Sequence, residues 1–220
     1  MTVSYLIVNF GEHSPPPIQD ITDLHEQLLP RSPIAKLGRP FMERFYYSIL
    51  PRAGQIFGSI AYVDDSPAGF ITATHDSAGF MKSMLLRQWP RLVWVISMSL
   101  IQTPHHAGSV WEAFRLMTTR NKARGAGLEG EILSLGVLTA FVEPGFVRRT
   151  GLRIAYDLID SVMSKFGELG TPLIRAVVDA DNTSAKFFYH SLGWTLYPDH
   201  VPGWRTPTVE FVWRPEQNHI

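Results

Sequence analysis

The sequence predicts one mixed α/β domain, a central sheet carrying helices on both of its faces. Three observations lead there. Apolar runs of period two alternate with amphipathic stretches of period near 3.6, in the order strand, two helices, hairpin, strand, helix, strand, helix, strand. At 220 residues the chain can bury a full core, and one domain with an embellishment fits better than two. An apolar content of 45% and a charged content of 18% are those of a globular protein. We expect one domain over residues 1–220, with a helical insertion at about 78–120.

The elements follow in order. Residues 3–10 alternate loosely and are rich in β-branched and aromatic types, a first strand broken by Pro15-Pro16-Pro17. A helix is predicted over 19–29, with Ile21, Leu24, His25 and Leu28 on one face, stopped by Pro30 and Pro33. A second helix is predicted over 40–50, with Phe41, Phe45, Tyr46 and Ile49 as its stripe. Residues 55–63 and 68–74 read as two strands joined by the turn Asp64-Asp65-Ser66-Pro67. From 80 to 117 the pattern is helical and apolar, with breaks at Pro90, Pro104 and Gly108, and 121–130 reads as a glycine-rich surface connection. Residues 132–140 read as a strand and 153–166 as a helix bearing Ile154, Leu158, Ile159 and Val162. Two more strands are expected at 173–178 and 207–213.

Composition excludes several classes. Lys+Arg and Asp+Glu both number 20, so no basic field is offered to nucleic acid. The absence of cysteine removes disulfides, thiolate metal sites and a cysteine nucleophile. Met1-Thr2-Val3-Ser4-Tyr5 lacks the charged start and apolar core of a secretory signal, so the cytoplasm is the expected compartment. The longest apolar stretch, 92–101, is short of the about 20 residues that a membrane helix needs. His105-His106 suggests a metal only weakly, since a third ligand is not nearby in sequence, and no metal is expected.

The segment Asp181 to Trp194 carries the most information. It leaves an apolar strand, places Ala185, Phe188, Tyr189 and Leu192 at helical spacing, and sets Gly193 where a helix end wants a left-handed residue. The pattern Asn182-x-x-Ala185-x-x-x-Tyr189-x-x-x-Gly193-Trp194 resembles the second cofactor motif of the GCN5-related N-acetyltransferases, the GNAT superfamily. An ordinary amphipathic helix with a glycine cap is the plainer reading of the same residues. The order of elements is also similar to the GNAT fold over nearly the whole chain, which implies a mixed, mostly antiparallel sheet of about seven strands. Leu24-His25-Glu26, Leu37-Gly38, Phe41 and Gly69-Phe70-Ile71 look like a bacterial subgroup of that superfamily, and the 80–117 helices depart from the minimal fold.

The resemblance implies a cradle for acetyl-coenzyme A. Asn182 would help hold the cofactor, with Phe188 beside it, and Tyr189 would point at its thioester. Leu133-Ser134-Leu135-Gly136-Val137 resembles the strand whose backbone pairs with the pantetheine arm, so Leu135, Gly136 and Val137 would contact it through main-chain atoms. The family's Arg/Gln-x-x-Gly-x-Gly/Ala stretch, whose amides open a helix and hold the pyrophosphate, is best matched by Arg148-Arg149-Thr150-Gly151-Leu152-Arg153. Arg153 stands where a second Gly or Ala is expected, and the loop before Arg148 is longer than usual. A rival register places Gly145 and Val147 at the two glycine positions but leaves no Arg or Gln ahead of them. Three arginines at a helix start are unfavourable beside the positive end of its dipole unless an anion is bound, which favours an anion site.

The chemistry implied is acetyl transfer from the thioester to a small primary amine by direct attack in a ternary complex. It needs a base for the amine, a donor for the oxyanion and an acid for the departing thiolate. By resemblance the acid is Tyr189 and the amide of Val137 is an oxyanion donor. Glu131 is the first candidate base, followed by His75 and Asp76, then His25 and Glu26. Phe80, Met81, Met84, Leu85, Trp89, Trp94 and Met98 would pack on the sheet, form a homodimer contact, or make a lid over the acceptor. Two alternatives stay open: a GNAT-fold acyltransferase with another donor or acceptor, and a non-catalytic module that binds coenzyme A or a protein.

Overall fold

A computed structural model describes residues 3–77, 129–197 and 207–215. The chain runs β1 (Tyr5–Phe10), α1 (Ile18–Leu28), α2 (Pro33–Lys36), α3 (Arg39–Phe41), a π-helical turn (Met42–Tyr46), α4 (Ile49–Arg52), β2 (Phe57–Val63) and β3 (Ser66–Thr74). It resumes with β4 (Gly130–Val137), a 3-10 turn (Thr139–Phe141), α5 (Pro144–Thr150), α6 (Ile154–Glu168), β5 (Ile174–Asp179), α7 (Thr183–Ser191), β6 (Thr195–Tyr197) and β7 (Thr208–Trp213).

The strands form one seven-stranded sheet in the order β1-β2-β3-β4-β5-β7-β6. Neighbours are antiparallel except β4 and β5, which run parallel. Period-two alternation sends successive side chains to opposite faces. Ile60 and Phe70 therefore meet Ile21 and Leu24 of α1 and the aromatic cluster of Phe41, Phe45 and Tyr47. Ala61 and Ile71 instead meet Leu158, Ile159, Val162 and Phe166 of α6. Tyr189, Trp194 and Phe211 extend this second core toward the far edge of the sheet. Helices thus cover both faces, as the element order predicts.

Four local features differ from the sequence expectation. The helix expected over 40–50 is broken by the π-helical turn, in which Tyr47 N–H donates to Met42 O at 2.8 Å. Successive α-helical residues point about 100° apart, whereas Phe45, Tyr46 and Tyr47 are all buried, and the widened turn lets them share one core. The hairpin closes on Asp64 and Asp65 alone, both with positive φ (48° and 60°), and Ser66 and Pro67 already belong to β3. Strand β4 ends at Val137 instead of reaching 140. Finally, 144–150 is a helix where a long loop was expected, because Pro144 suits a first helical turn and Gly151 its left-handed end.

A candidate coenzyme A cleft and active site

Strands β4 and β5 pair over only three positions: Gly130 with Ile174, Glu131 with Arg175 and Ile132 with Ala176. The cause lies in β4. Its pairing with β3 goes from Thr72↔Ser134 to Ala73↔Ile132, so Leu133 is an extra residue on β4. A bulge bends and twists the strand that carries it. Beyond the bulge Leu135, Gly136 and Val137 keep their partners Ile71, Phe70 and Gly69 on β3, while their other edge has parted from β5. The result is a fork whose one wall is a strand edge with backbone groups available to an extended ligand. Leu135 and Val137 are half-buried there and pack toward α6.

The start of α6 lies after the next turn of the chain. Gly151 takes a φ of 74° at the end of α5, and a methyl group placed on it would meet nothing within 4 Å. Thr150 Oγ1 donates to Phe146 O at 2.9 Å and accepts from Leu152 N–H at 3.2 Å, fixing the step into α6. No side chain caps the first turn of that fifteen-residue helix. Uncapped amides at the positive end of a long helix, beside open space, suit an anion. The arginines are placed differently from the sequence expectation. Arg148 and Arg149 stand in the last turn of α5, where the dipole favours cations without an anion's help, so only Arg153 is at a helix start. Its guanidinium carbon lies 5.7 Å from the centre of the Tyr156 ring.

Helix α7 flanks the fork from β5. Asn182 is its N-cap, the Oδ1 accepting from Ala185 N–H at 3.0 Å. An ordinary helix start therefore favours an Asn at this position too. Tyr189 is 4% exposed, with ring centres 5.0 Å from Trp194 and 5.5 Å from Phe211. Burial pushes its hydroxyl well above the usual phenol range, so it stays protonated at neutral pH. Phe188 sits edge-on to both Tyr156 (5.1 Å) and Tyr189 (5.4 Å).

Glu131 is buried at the root of the fork, facing Arg175 across the β4–β5 pairing, with Nε to Oε2 at 3.9 Å. Arg175 also binds Glu129, Glu210 (Nη1 to Oε1, 3.4 Å) and Ser77 Oγ (Nη2, 2.6 Å). Sequence reasoning missed Arg175, although a lone arginine inside the apolar strand Leu173 to Val178 was a signal that partners must exist. His25 lies in the core with both ring nitrogens engaged, Nδ1 by Tyr47 Oη at 2.5 Å and Nε2 by Ser32 Oγ at 2.8 Å. Glu26 pairs with Arg39 at 3.1 Å on the surface. His75 and Asp76 follow β3, half-buried. His105-His106 and the aromatic stretch from Phe80 to Met98 lie outside the described residues. Among the described residues no cluster of three metal-ligating side chains occurs, and no helix is long and apolar enough to cross a membrane.

No family model and no curated protein matches the chain. Solved structures do. Arabidopsis thaliana NAA60 in complex with acetyl-CoA superposes with a TM-score of 0.55 at 15% identity, covering 97% of this chain and 99% of that one. The PaiA N-acetyltransferase of Thermoplasma acidophilum, in complex with coenzyme A, gives 0.51 at 11% identity over 96% and 99%. An agmatine N-acetyltransferase gives 0.52 at 14% identity over 96% and 100%. The forked seven-stranded sheet with helices on both faces is the GNAT fold, present along nearly the whole chain.

Proposed function

We propose that the protein is an N-acetyltransferase that moves an acetyl group from acetyl-CoA to a small primary amine by direct attack in a ternary complex. The observation that carries this reading is the parting of β4 from β5 after Ile132↔Ala176, which leaves a strand edge beside the uncapped start of α6. The similar structures of NAA60 with acetyl-CoA and of PaiA with coenzyme A support the same donor.

Acetyl-CoA would supply the activated thioester; the rest is the work of side chains and amides of this chain. Residues 133–137 would offer main-chain groups to the pantetheine arm, with Leu135, Gly136 and Val137 contacting it through their backbone. The amides after Leu152 at the start of α6 would seat the pyrophosphate, and Arg148, Arg149 and Arg153 would supply positive charge at its rim. Tyr189, holding its proton, donates it to the departing sulfur. Glu131 takes the proton of the amine. An agmatine N-acetyltransferase among the similar structures supports a small amine as acceptor.

Thermal denaturation with and without acetyl-CoA tests the reading, because a ligand of the folded state raises the melting temperature. We expect a rise, and then turnover with at least one member of a panel of primary amines. No rise would overturn the assignment, and a rise without turnover would leave a coenzyme A-binding module.

A further inference from the structure

We propose that Arg175 is a positioning residue for this reaction: its guanidinium, buried where β4 and β5 begin to part, holds Glu131 in place and links it to residues 77 and 129. The inference rests on the acetyltransferase reading. Arg175 is 4% exposed in the interior of β5, one position before the last β4–β5 pair. A buried cation at such a site needs neutralisation, and the sequence supplies three carboxylates from two separate segments. Glu129 precedes β4, Glu131 is its second residue and Glu210 belongs to β7.

The geometry divides the guanidinium's work. Nη1 donates toward Glu210 at 3.4 Å, and Nη2 donates to Ser77 Oγ at 2.6 Å and to Glu129. The guanidinium is planar, so fixing these two nitrogens also fixes the direction of Nε–H. That Nε is buried and makes no hydrogen bond, and Glu131 Oε2 lies 3.9 Å from it. At this separation the pairing is Coulombic. Arg175 thus sets the position and charge environment of Glu131 without itself touching substrate.

The same arginine reaches Ser77, whose amide donates to Glu129 O at 2.9 Å. Ser77, after β3, and Glu129, before β4, are thus joined to each other and to one guanidinium. Facing Glu131 are Arg175 from β5, Thr74 opposite it on β3, and across the guanidinium Glu129 and Glu210.

The full-length protein is compared with Arg175→Met, Arg175→Lys and Glu131→Gln, using acetyl-CoA and the best amine of the panel. In Arg175→Met we expect kcat to fall about tenfold or more with KM for acetyl-CoA little changed. The acid limb of kcat/KM should move to higher pH, because the three carboxylates then face one another without a cation. Arg175→Lys keeps the charge and should restore the acid limb, though not all of kcat. Glu131→Gln should lose about a hundredfold or more in kcat. Wild-type kcat and pH profile in folded Arg175→Met would overturn the inference and leave the acetyltransferase standing. Should Arg175→Met not fold, full activity in Glu131→Gln or an acid limb displaced in Arg175→Lys would overturn it equally. A wild-type protein inactive toward every amine would sink the underlying reading instead.

Discussion

The side chain of Asn182 closes the first turn of α7, and that local role separates two effects a single alanine substitution would mix. Removing the cap costs about 1 kcal/mol, whereas an aspartate accepts the same amide hydrogen bond. Asn182→Asp should therefore keep the melting temperature and still weaken acetyl-CoA binding, because a carboxylate stands where an amide would meet the cofactor. Equal acetyl-CoA affinity in a binding titration would confine Asn182 to capping. Tyr189 poses the complementary case. Its ring is held by Trp194 and Phe211, so Tyr189→Phe keeps the packing. We expect kcat to fall about 10- to 100-fold, with acetyl-CoA affinity and melting temperature nearly unchanged. Undiminished kcat would remove its hydroxyl from the mechanism. Their places along one helix were legible in the sequence because spacing within a helix is a local property. Arg175 was not, since its partners Ser77, Glu129 and Glu210 come from distant segments that only the folded sheet assembles.

Among the elements, the fork and the two helices after it were legible to different degrees. A strand at 132–140 and a helix at 153–166 follow from periodicity, and β4 and α6 appear close to those bounds. The bulge at Leu133 does not follow, because a bulge is a mismatch between two strands and no single strand records it. Helix α5 was hidden for another reason: Pro144 and Gly145 together look like loop chemistry, although proline is well suited to a first helical turn. Its presence turns Arg148 and Arg149 from helix-start charges into helix-end charges, so the proposed pyrophosphate seat rests on the amides after Leu152. Gly151 sits at φ 74° with open space where a side chain would project. Gly151→Ala should cost about 1 kcal/mol from the left-handed backbone alone, without a clash. The methyl group would project into the mouth of the proposed pyrophosphate seat, so acetyl-CoA affinity should fall as well. A titration showing wild-type affinity would move that seat elsewhere.

At the scale of the whole molecule, the face of the sheet under α1 is organised around a buried imidazole. His25 joins α1 to Ser32 at the start of α2, to Tyr47 just after the π-helical turn, and to the Phe70 ring of β3. Apolar spacing placed His25 on the inner face of its helix, but could not say that both nitrogens would find hydroxyl partners. Enclosure without a charged partner lowers its pKa to about 4 from the ordinary 6.5. The sign follows from proton counts. Between those two values the unfolded chain carries a proton on His25 and the folded protein does not, so falling pH favours unfolding. The contribution is fully present above pH 6.5 and gone below 4, about 3 kcal/mol in all, of which about 2 is lost between pH 7 and 5. Chemical denaturation at those two pH values, on the wild type and on His25→Gln, isolates the term from every other titrating group. The glutamine variant should start less stable at pH 7 and lose about 2 kcal/mol less on acidification. Parallel losses in the two proteins would mean that His25 takes up its proton in the fold as readily as in the unfolded chain, so that its enclosure does not lower its pKa.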